Sequence, residues 1–383
     1  MLLKAAIAVF VKVGLGSIQY IFMKDLLHTK SQIADGSTQE FDNRAWFLTF
    51  ATFVAMFLCS LPVVPMEYRK YQSKQRDESG ALVNMYSMRL FLYTFLPAGL
   101  DFAALVLTYR TNAYLLSSVM VLLKGSRAVF TAGMTSTVLK RKQTGYQWAG
   151  IIVTSLGVVA IAVESVVRNS MSDTQSQHSS GVICLAIILT LLAELMRAIR
   201  FVYEERLIKI NRLSAQALVF FESSAGLFLA TGGWLIAGIT GRENIQDTLA
   251  MVSNSRNLQW LLISTVLIAG ICNVAAAFIT KYLSSVHNAL CSEIRVVFVW
   301  IPQVIRRFIS KANNTDNIPD HKLPGEPLDA LCIVKLLGFA LLISGAMIYN
   351  GNIKLPFKKL YPQDNINQKN LEAETPLSGD ARV

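Results

Sequence analysis

The residues of this chain that could do chemistry are charged side chains inside long apolar runs. Lys124, beside Gly125, lies about ten residues into the run Leu115–Leu139, and Arg295 lies inside the run His287–Ile309. A charge at the middle of a membrane-spanning segment costs about 2.5–3.5 kcal/mol on insertion scales, so it usually faces a cavity or a charged partner. These two cations are therefore candidate ligands for an anionic group on a substrate.

Carboxylates occupy the same kind of position. Asp101 and Glu222 lie in apolar runs, and Glu194 lies within two turns of Arg197 and Arg200. In a dry cavity a carboxylate can balance a buried cation or carry a proton. A structural ion pair is the alternative for Asp101, and the i, i+3 spacing of Glu194 and Arg197 allows those two to neutralise each other.

Uncharged polar residues complete the set. Ser17 and Gln19 follow Gly16 within one turn of the first apolar run, where substrate contact and helix packing are equally good explanations. The predicted substrate-binding residues are Ser17, Gln19, Asp101, Lys124, Glu194, Arg200, Glu222, Asn273, Glu293 and Arg295.

The elements that must position these side chains are ten apolar blocks. The chain has 383 residues, of which 53% are hydrophobic and 16% charged. Blocks of about 20 residues match a hydrocarbon core roughly 30 Å thick. The sequence therefore predicts an all-α polytopic membrane protein with ten transmembrane helices. The blocks are Leu2–Met23, Trp46–Val64, Leu90–Leu107, Leu115–Leu139, Trp148–Glu164, Gly181–Val202, Ala215–Ile239, Leu258–Lys281, His287–Ile309 and Leu331–Tyr349.

A repeated glycine pattern suggests an internal duplication. Gly150 and Gly157 are seven residues apart in block five, and Gly338 and Gly345 have the same spacing in block ten. Small residues let helices approach closely, so these glycines are predicted to serve packing. The predicted organisation is a first half, residues 1–168, a linker, 169–180, a second half, 181–350, and a cytosolic, largely disordered tail, 351–383.

The net charge of +11 is concentrated in short loops and the tail. Lys and Arg are denser after even-numbered blocks, which predicts cytosolic termini and argues against nucleic-acid binding. The glycosylation sequon at Asn313 then lies on the lumenal side. The five cysteines and four histidines show no metal-ligand spacing, so no metal or cofactor is predicted.

With these features the chain resembles the drug/metabolite transporter superfamily, in the branch of the solute carrier 35 F-subfamily and the chloroquine-resistance-transporter-like proteins. The resemblance covers nearly the whole chain. The matching segments are Gly16-Ser17-Ile18-Gln19 with Lys24, Pro97-Ala98 with Asp101, Lys124-Gly125 with Phe130-Thr131, Phe201-Val202-Tyr203-Glu204-Glu205-Arg206, Phe221-Glu222, Lys281-Tyr282-Leu283-Ser284, Arg295 with Trp300, and Leu337-Gly338-Phe339 with Tyr349-Asn350-Gly351.

The resemblance implies two inverted five-helix repeats around a central cavity, with helices five and ten packed at the side. It also implies a carrier of small organic solutes in a lysosomal, vacuolar or other endomembrane, with the plasma membrane as the alternative. The chain departs from the family pattern at Ala55-Met56, Lys124, Glu194, Arg200 and Glu293, so no particular substrate follows.

The predicted function is secondary transport of an anionic or zwitterionic solute by alternating access, with proton coupling as an option. The predicted partners are the small-molecule substrate and the lipid bilayer, for a monomer or homodimer. A receptor or scaffold that acts through the cytosolic tail is the alternative. An intramembrane enzyme is disfavoured because the sequence offers no pair of nucleophile and base.

Overall fold

A computed structural model describes residues 2–61, 88–111, 114, 117–140, 143–171, 180–209, 214–312, 331–354 and 356. Within these ranges each of the ten apolar blocks corresponds to an α-helix, although Leu61 and Leu139 lie just beyond the ends of their helices. The helices are α1 (Leu2–Leu27), α2 (Ala45–Ser60), α3 (Met88–Thr111), α4 (Ser117–Val138), α5 (Gly145–Met171), α6 (Ser180–Lys209), α7 (Ala215–Ile239), α8 (Ile245–Asn254), α9 (Arg256–Tyr282), α10 (Ser285–Ala312) and α11 (Leu331–Tyr349).

Six helices in the described ranges are long and apolar enough to cross a membrane. These are α1, α3, α7, α9, α10 and α11. Two shorter apolar helices, Ala45–Ser60 and Gly145–Ile161, accompany them. A multi-pass membrane protein is thereby confirmed, whereas ten spans in two inverted repeats stay a prediction.

The two glycine-bearing helices, α5 and α11, pack directly against each other. A Cβ atom added to Gly150 would lie 2.6 Å from the backbone nitrogen of Tyr349, and one added to Gly345 would lie 2.5 Å from that of Thr154. A buried ion pair, Lys335 Nζ to Glu164 Oε2 at 3.0 Å, joins the same two helices. These glycines therefore lie in the contact between the two helices, as the predicted packing role requires.

A small hairpin and the short helix α8 form a structure that the sequence did not predict. Strand β1 (Lys30–Gln32) pairs antiparallel with β2 (Thr38–Glu40), in the segment between the first two apolar blocks. The Ser31 hydroxyl donates a 2.7 Å hydrogen bond to the carbonyl of Met251 in α8. Ile33, Phe41 and Met251 belong to one buried apolar cluster. The hairpin precedes α2 and α8 follows α7, so this contact joins the two predicted halves of the chain.

Glu243, in the turn between α7 and α8, fixes the start of α2. Its carboxylate accepts hydrogen bonds from the backbone N–H groups of Trp46 at 3.0 Å and Phe47 at 3.1 Å, and from the Trp234 indole at 3.1 Å. These bonds satisfy donors that a helix N-terminus leaves unpaired. Burial raises the pKa of Glu243 despite these hydrogen bonds, which favour the ionised form.

Candidate functional site

A central cavity of about 210 Å³ lies among α1, α2, α3, α4, α6, α9 and α10. Six of the ten predicted residues line it. They are Gln19, Asp101, Lys124, Arg200, Asn273 and Arg295. Lys124 from α4 and Arg295 from α10 therefore reach one cavity.

Three cations on this cavity lack a carboxylate partner. Lys12, Lys124 and Arg295 all line it, and no carboxylate oxygen in the described ranges lies within 4.0 Å of their side-chain nitrogens. Lys12 instead donates to Asn288, to its backbone carbonyl at 2.7 Å and to its side-chain oxygen. The Lys124 ammonium lies 5.3 Å from the ring centre of Tyr20. These three cations therefore reach the cavity without a direct ion pair in the described ranges.

The Arg295 side chain passes over the backbone of α1. A Cβ atom on Gly16 would come within 2.8 Å of Arg295 Nη1. The Ser17 hydroxyl donates to the carbonyl of Val13 at 2.7 Å and to that of Arg295 at 3.3 Å. Gly16 thus makes room for the cation, and Ser17 helps to hold its backbone without lining the cavity.

Glu194 lies behind the wall, between two arginines. Its Oε2 accepts from Arg127 Nε at 2.6 Å, and its Oε1 lies 2.8 Å from Arg197 Nη1. The Glu194 side chain is fully buried. The pairing of Glu194 with Arg197 that their spacing allowed is present, and the carboxylate positions both guanidinium groups, which line the cavity.

Arg200 is surrounded by three carboxylates from three helices. Its Nη1 lies 2.6 Å from Asp101 Oδ1, and its Nε lies 2.6 Å from both Glu204 Oε1 and Glu222 Oε1. Its Nη2 also donates to Asn273 Oδ1 at 3.5 Å. Asp101 and Arg200 line the cavity, whereas Glu222 stands behind Arg200.

Two predicted residues remain. Glu293 is buried near the cavity without lining it, and its Oε1 accepts no hydrogen bond from the described part of the chain. Asn313 lies outside the described residues.

The sequence reasoning missed several residues that form this site. Lys12, Arg127 and Arg197 line the cavity, and Glu204 pairs with Arg200. Two of them had a signal in the spacing, because Arg127 follows Lys124 by three residues and Glu204 follows Arg200 by four, which places each pair on one helix face. The site thus has a cationic part and, around Arg200, an acidic part.

Buried charges that surround a cavity between apolar helices are typical of substrate pathways in membrane transporters. Residues 5–310 match the UAA transporter family. The chain belongs to this family and is a transporter, not an enzyme.

Several curated relatives agree with this assignment. The chain is 25% identical over 315 residues to human solute carrier family 35 member F6, which covers 79% of this chain and 78% of that protein. The rat protein of the same name is 22% identical over 348 residues, covering 88% and 86%. An uncharacterized protein of Schizosaccharomyces pombe is 26% identical over 270 residues, covering 68% and 74%.

The resemblance to the solute carrier 35 F-subfamily is therefore confirmed. A solved crystal structure aligns with 90% of this chain and 95% of its own at a TM-score of 0.55 and 11% identity, which supports the fold alone.

Proposed function

We propose that this protein is a secondary transporter that moves a small organic anion or zwitterion across an endomembrane by alternating access. The observation that carries this proposal is that Lys12, Lys124 and Arg295 line one cavity without an ion pair in the described ranges. Clustered cations repel each other and are costly to bury. An anionic group on the substrate would offset that cost, and the acidic part around Arg200 would suit a positive group on a zwitterion.

The helix contacts support a build of two inverted five-helix repeats. Suppose that α1, α2, α3, α4 and α5 are equivalent to α6, α7, α9, α10 and α11, in that order. A two-fold repeat then requires that the contact of α1 with α9 has an equivalent in the contact of α6 with α3. In the same way, the contact of α2 with α9 requires that of α7 with α3, and the contact of α4 with α6 requires that of α10 with α1. All six of these contacts are present. In such a repeat the substrate site lies near the bilayer midplane, between the halves.

The test is uptake by the purified protein in liposomes, with a panel of organic anions, zwitterions and cations. We expect saturable uptake of at least one anion or zwitterion, competed by related anions and reduced by Lys124→Ala or Arg295→Ala. Uptake restricted to cations would overturn the proposed substrate class. A cellular function that is lost on deleting residues 362–383 but kept in Lys124→Ala would favour the receptor alternative.

A further inference from the structure

The acidic part of the site holds one hydrogen-bond donor between two acceptors. Arg200 Nε carries a single hydrogen, yet Glu204 Oε1 and Glu222 Oε1 both lie 2.6 Å from it. Neither oxygen accepts a well-aligned hydrogen bond from any group in the described ranges, and Arg200 Nε donates none there. Because both oxygens lie 2.6 Å from the same nitrogen, the distance between them is at most twice that length. A single N–H group cannot donate a full hydrogen bond to both oxygens.

The other polar groups that the structure describes around Arg200 already have partners of their own. Asp101, from α3, has the separate Nη1 donor of Arg200 at 2.6 Å. Asn273, from α9, offers its side-chain oxygen to Nη2 and donates its own N–H to the carbonyl of Ala269 at 3.0 Å. Lys12, from α1, is the next cation along the cavity, and its ammonium is bonded to Asn288. One guanidinium thus faces three carboxylates.

Burial decides how such a cluster is charged. Asp101 is 3% exposed, Glu204 2% and Glu222 1%, so water does not screen them. When three carboxylates surround one guanidinium away from solvent, ionisation of all three is disfavoured, and neighbouring carboxylates then commonly share one proton. A proton between Glu204 and Glu222 would supply the hydrogen bond that Arg200 Nε cannot give to both.

We propose that Glu204 and Glu222 share one exchangeable proton beside Arg200 and that this pair is the proton-coupling site of the transporter. The shared proton stands on the geometry alone, whereas its coupling role rests on the proposed function. The proton binds one carboxylate oxygen from water on one side of the membrane and returns to water on the other.

The position of the pair explains how a proton would help an anion to bind. Arg200 lines the cavity, while Glu204 and Glu222 lie behind it. A bound proton removes one negative charge from behind Arg200 and leaves the guanidinium more positive towards the cavity. Anion and proton then bind more tightly together than separately, and the coupling is reciprocal. Proton–anion symport follows.

Infrared difference spectroscopy of the purified protein between acidic and alkaline pH tests the shared proton without any substrate. We expect a protonated-carboxyl C=O band that shifts in D₂O and is lost in both Glu204→Gln and Glu222→Gln. Each substitution removes one of the two carboxylates at Arg200 Nε. The remaining carboxylate then has Arg200 as its partner and can ionise. Glu243→Gln, a buried carboxylate outside the cavity, should keep the band. Melting curves confirm that each variant is folded.

Two results would overturn the proposal at different levels. A band that persists in both Glu204→Gln and Glu222→Gln, or that is lost in Glu293→Gln instead, removes the shared proton from this pair. Liposome uptake of the anion panel with an acidic exterior tests coupling separately. If the band is present but no transported anion is stimulated by the pH gradient, the coupling role is overturned and the proposed transport function stands.

Discussion

Gly157 of α5 lies against Gly338 of α11, so that a Cβ atom added to Gly157 would be 2.6 Å from the Gly338 carbonyl oxygen. The contact is mutual, because a Cβ on Gly338 would lie 2.9 Å from the carbonyl oxygen of Gly157. Contact between backbones leaves no flexible side chain that can move aside. The two helices meet at a distance that only glycine permits.

Gly157→Ala should therefore destabilise the protein, by about 1–3 kcal/mol, the usual cost of overpacking. Gly133→Ala in α4 is the matched control, since a Cβ there meets no atom within 4 Å. Alanine in an open helix position gains about 0.5–1 kcal/mol over glycine. Melting curves of the two variants should move in opposite directions. A Gly157→Ala protein that melts normally but no longer transports would refute the packing role.

Lys124→Ala should give a folded protein that transports poorly. No carboxylate in the described ranges lies within 4.0 Å of the Lys124 ammonium, so its removal strands no buried charge. Lys124→Arg should be partly active, because the charge survives while its geometry changes. Uptake in liposomes and a melting curve are measured on the same preparations. Uptake by Lys124→Ala at the wild-type rate and affinity would remove Lys124 from the site.

Glu194→Ala, unlike Lys124→Ala, should lower the stability of the folded protein. It leaves Arg127 and Arg197, 2.6 Å and 2.8 Å from the carboxylate, without their shared partner. Removing one member of a buried ion pair usually costs about 3–5 kcal/mol. Thermal unfolding in detergent is the measurement, with Lys124→Ala as the control for a buried charge without a partner. Equal melting temperatures for Glu194→Ala and wild type would show that the two guanidiniums do not need this carboxylate.

Glu243 should make stability depend on pH. Burial raises its pKa above the ordinary value of 4.5, so the folded state binds more protons than the unfolded state above that pH. Stability from this group is therefore fully present at lower pH and falls as the pH rises from 4.5 through the folded pKa. Melting temperatures of wild type and Glu243→Gln across this range isolate the effect. Parallel pH profiles would contradict it.

The helices were predictable because each apolar block is long enough to signal a helix by composition alone. The hairpin and α8 were not, since β1 and β2 have three residues each and α8 has ten. Their structure depends on Ile33, Phe41 and Met251 meeting in one cluster, and more than half of the chain separates Phe41 from Met251 in the sequence.

Only some residues of the candidate site were predictable one by one, and their pairing was not. Asp101, Glu194, Arg200 and Glu222 stand out in apolar runs, yet which carboxylate pairs with which arginine depends on helix packing. Arg127 lies one turn after Lys124 in the same apolar run and was not among the predicted site residues. The pairing of Glu222 with Arg200 joins α6 to α7 and follows only from the fold.

The contact between the hairpin and α8 connects the two predicted halves of the chain at one end. Phe41 and Met251 are both fully buried in it. A rocking motion of the proposed alternating-access cycle that separated the halves at this end would expose such apolar surface to water, at a cost of about 25 cal/mol per Å². In that cycle the contact would favour closure at this end, and trimming the hairpin would shift the cycle towards states that are open there.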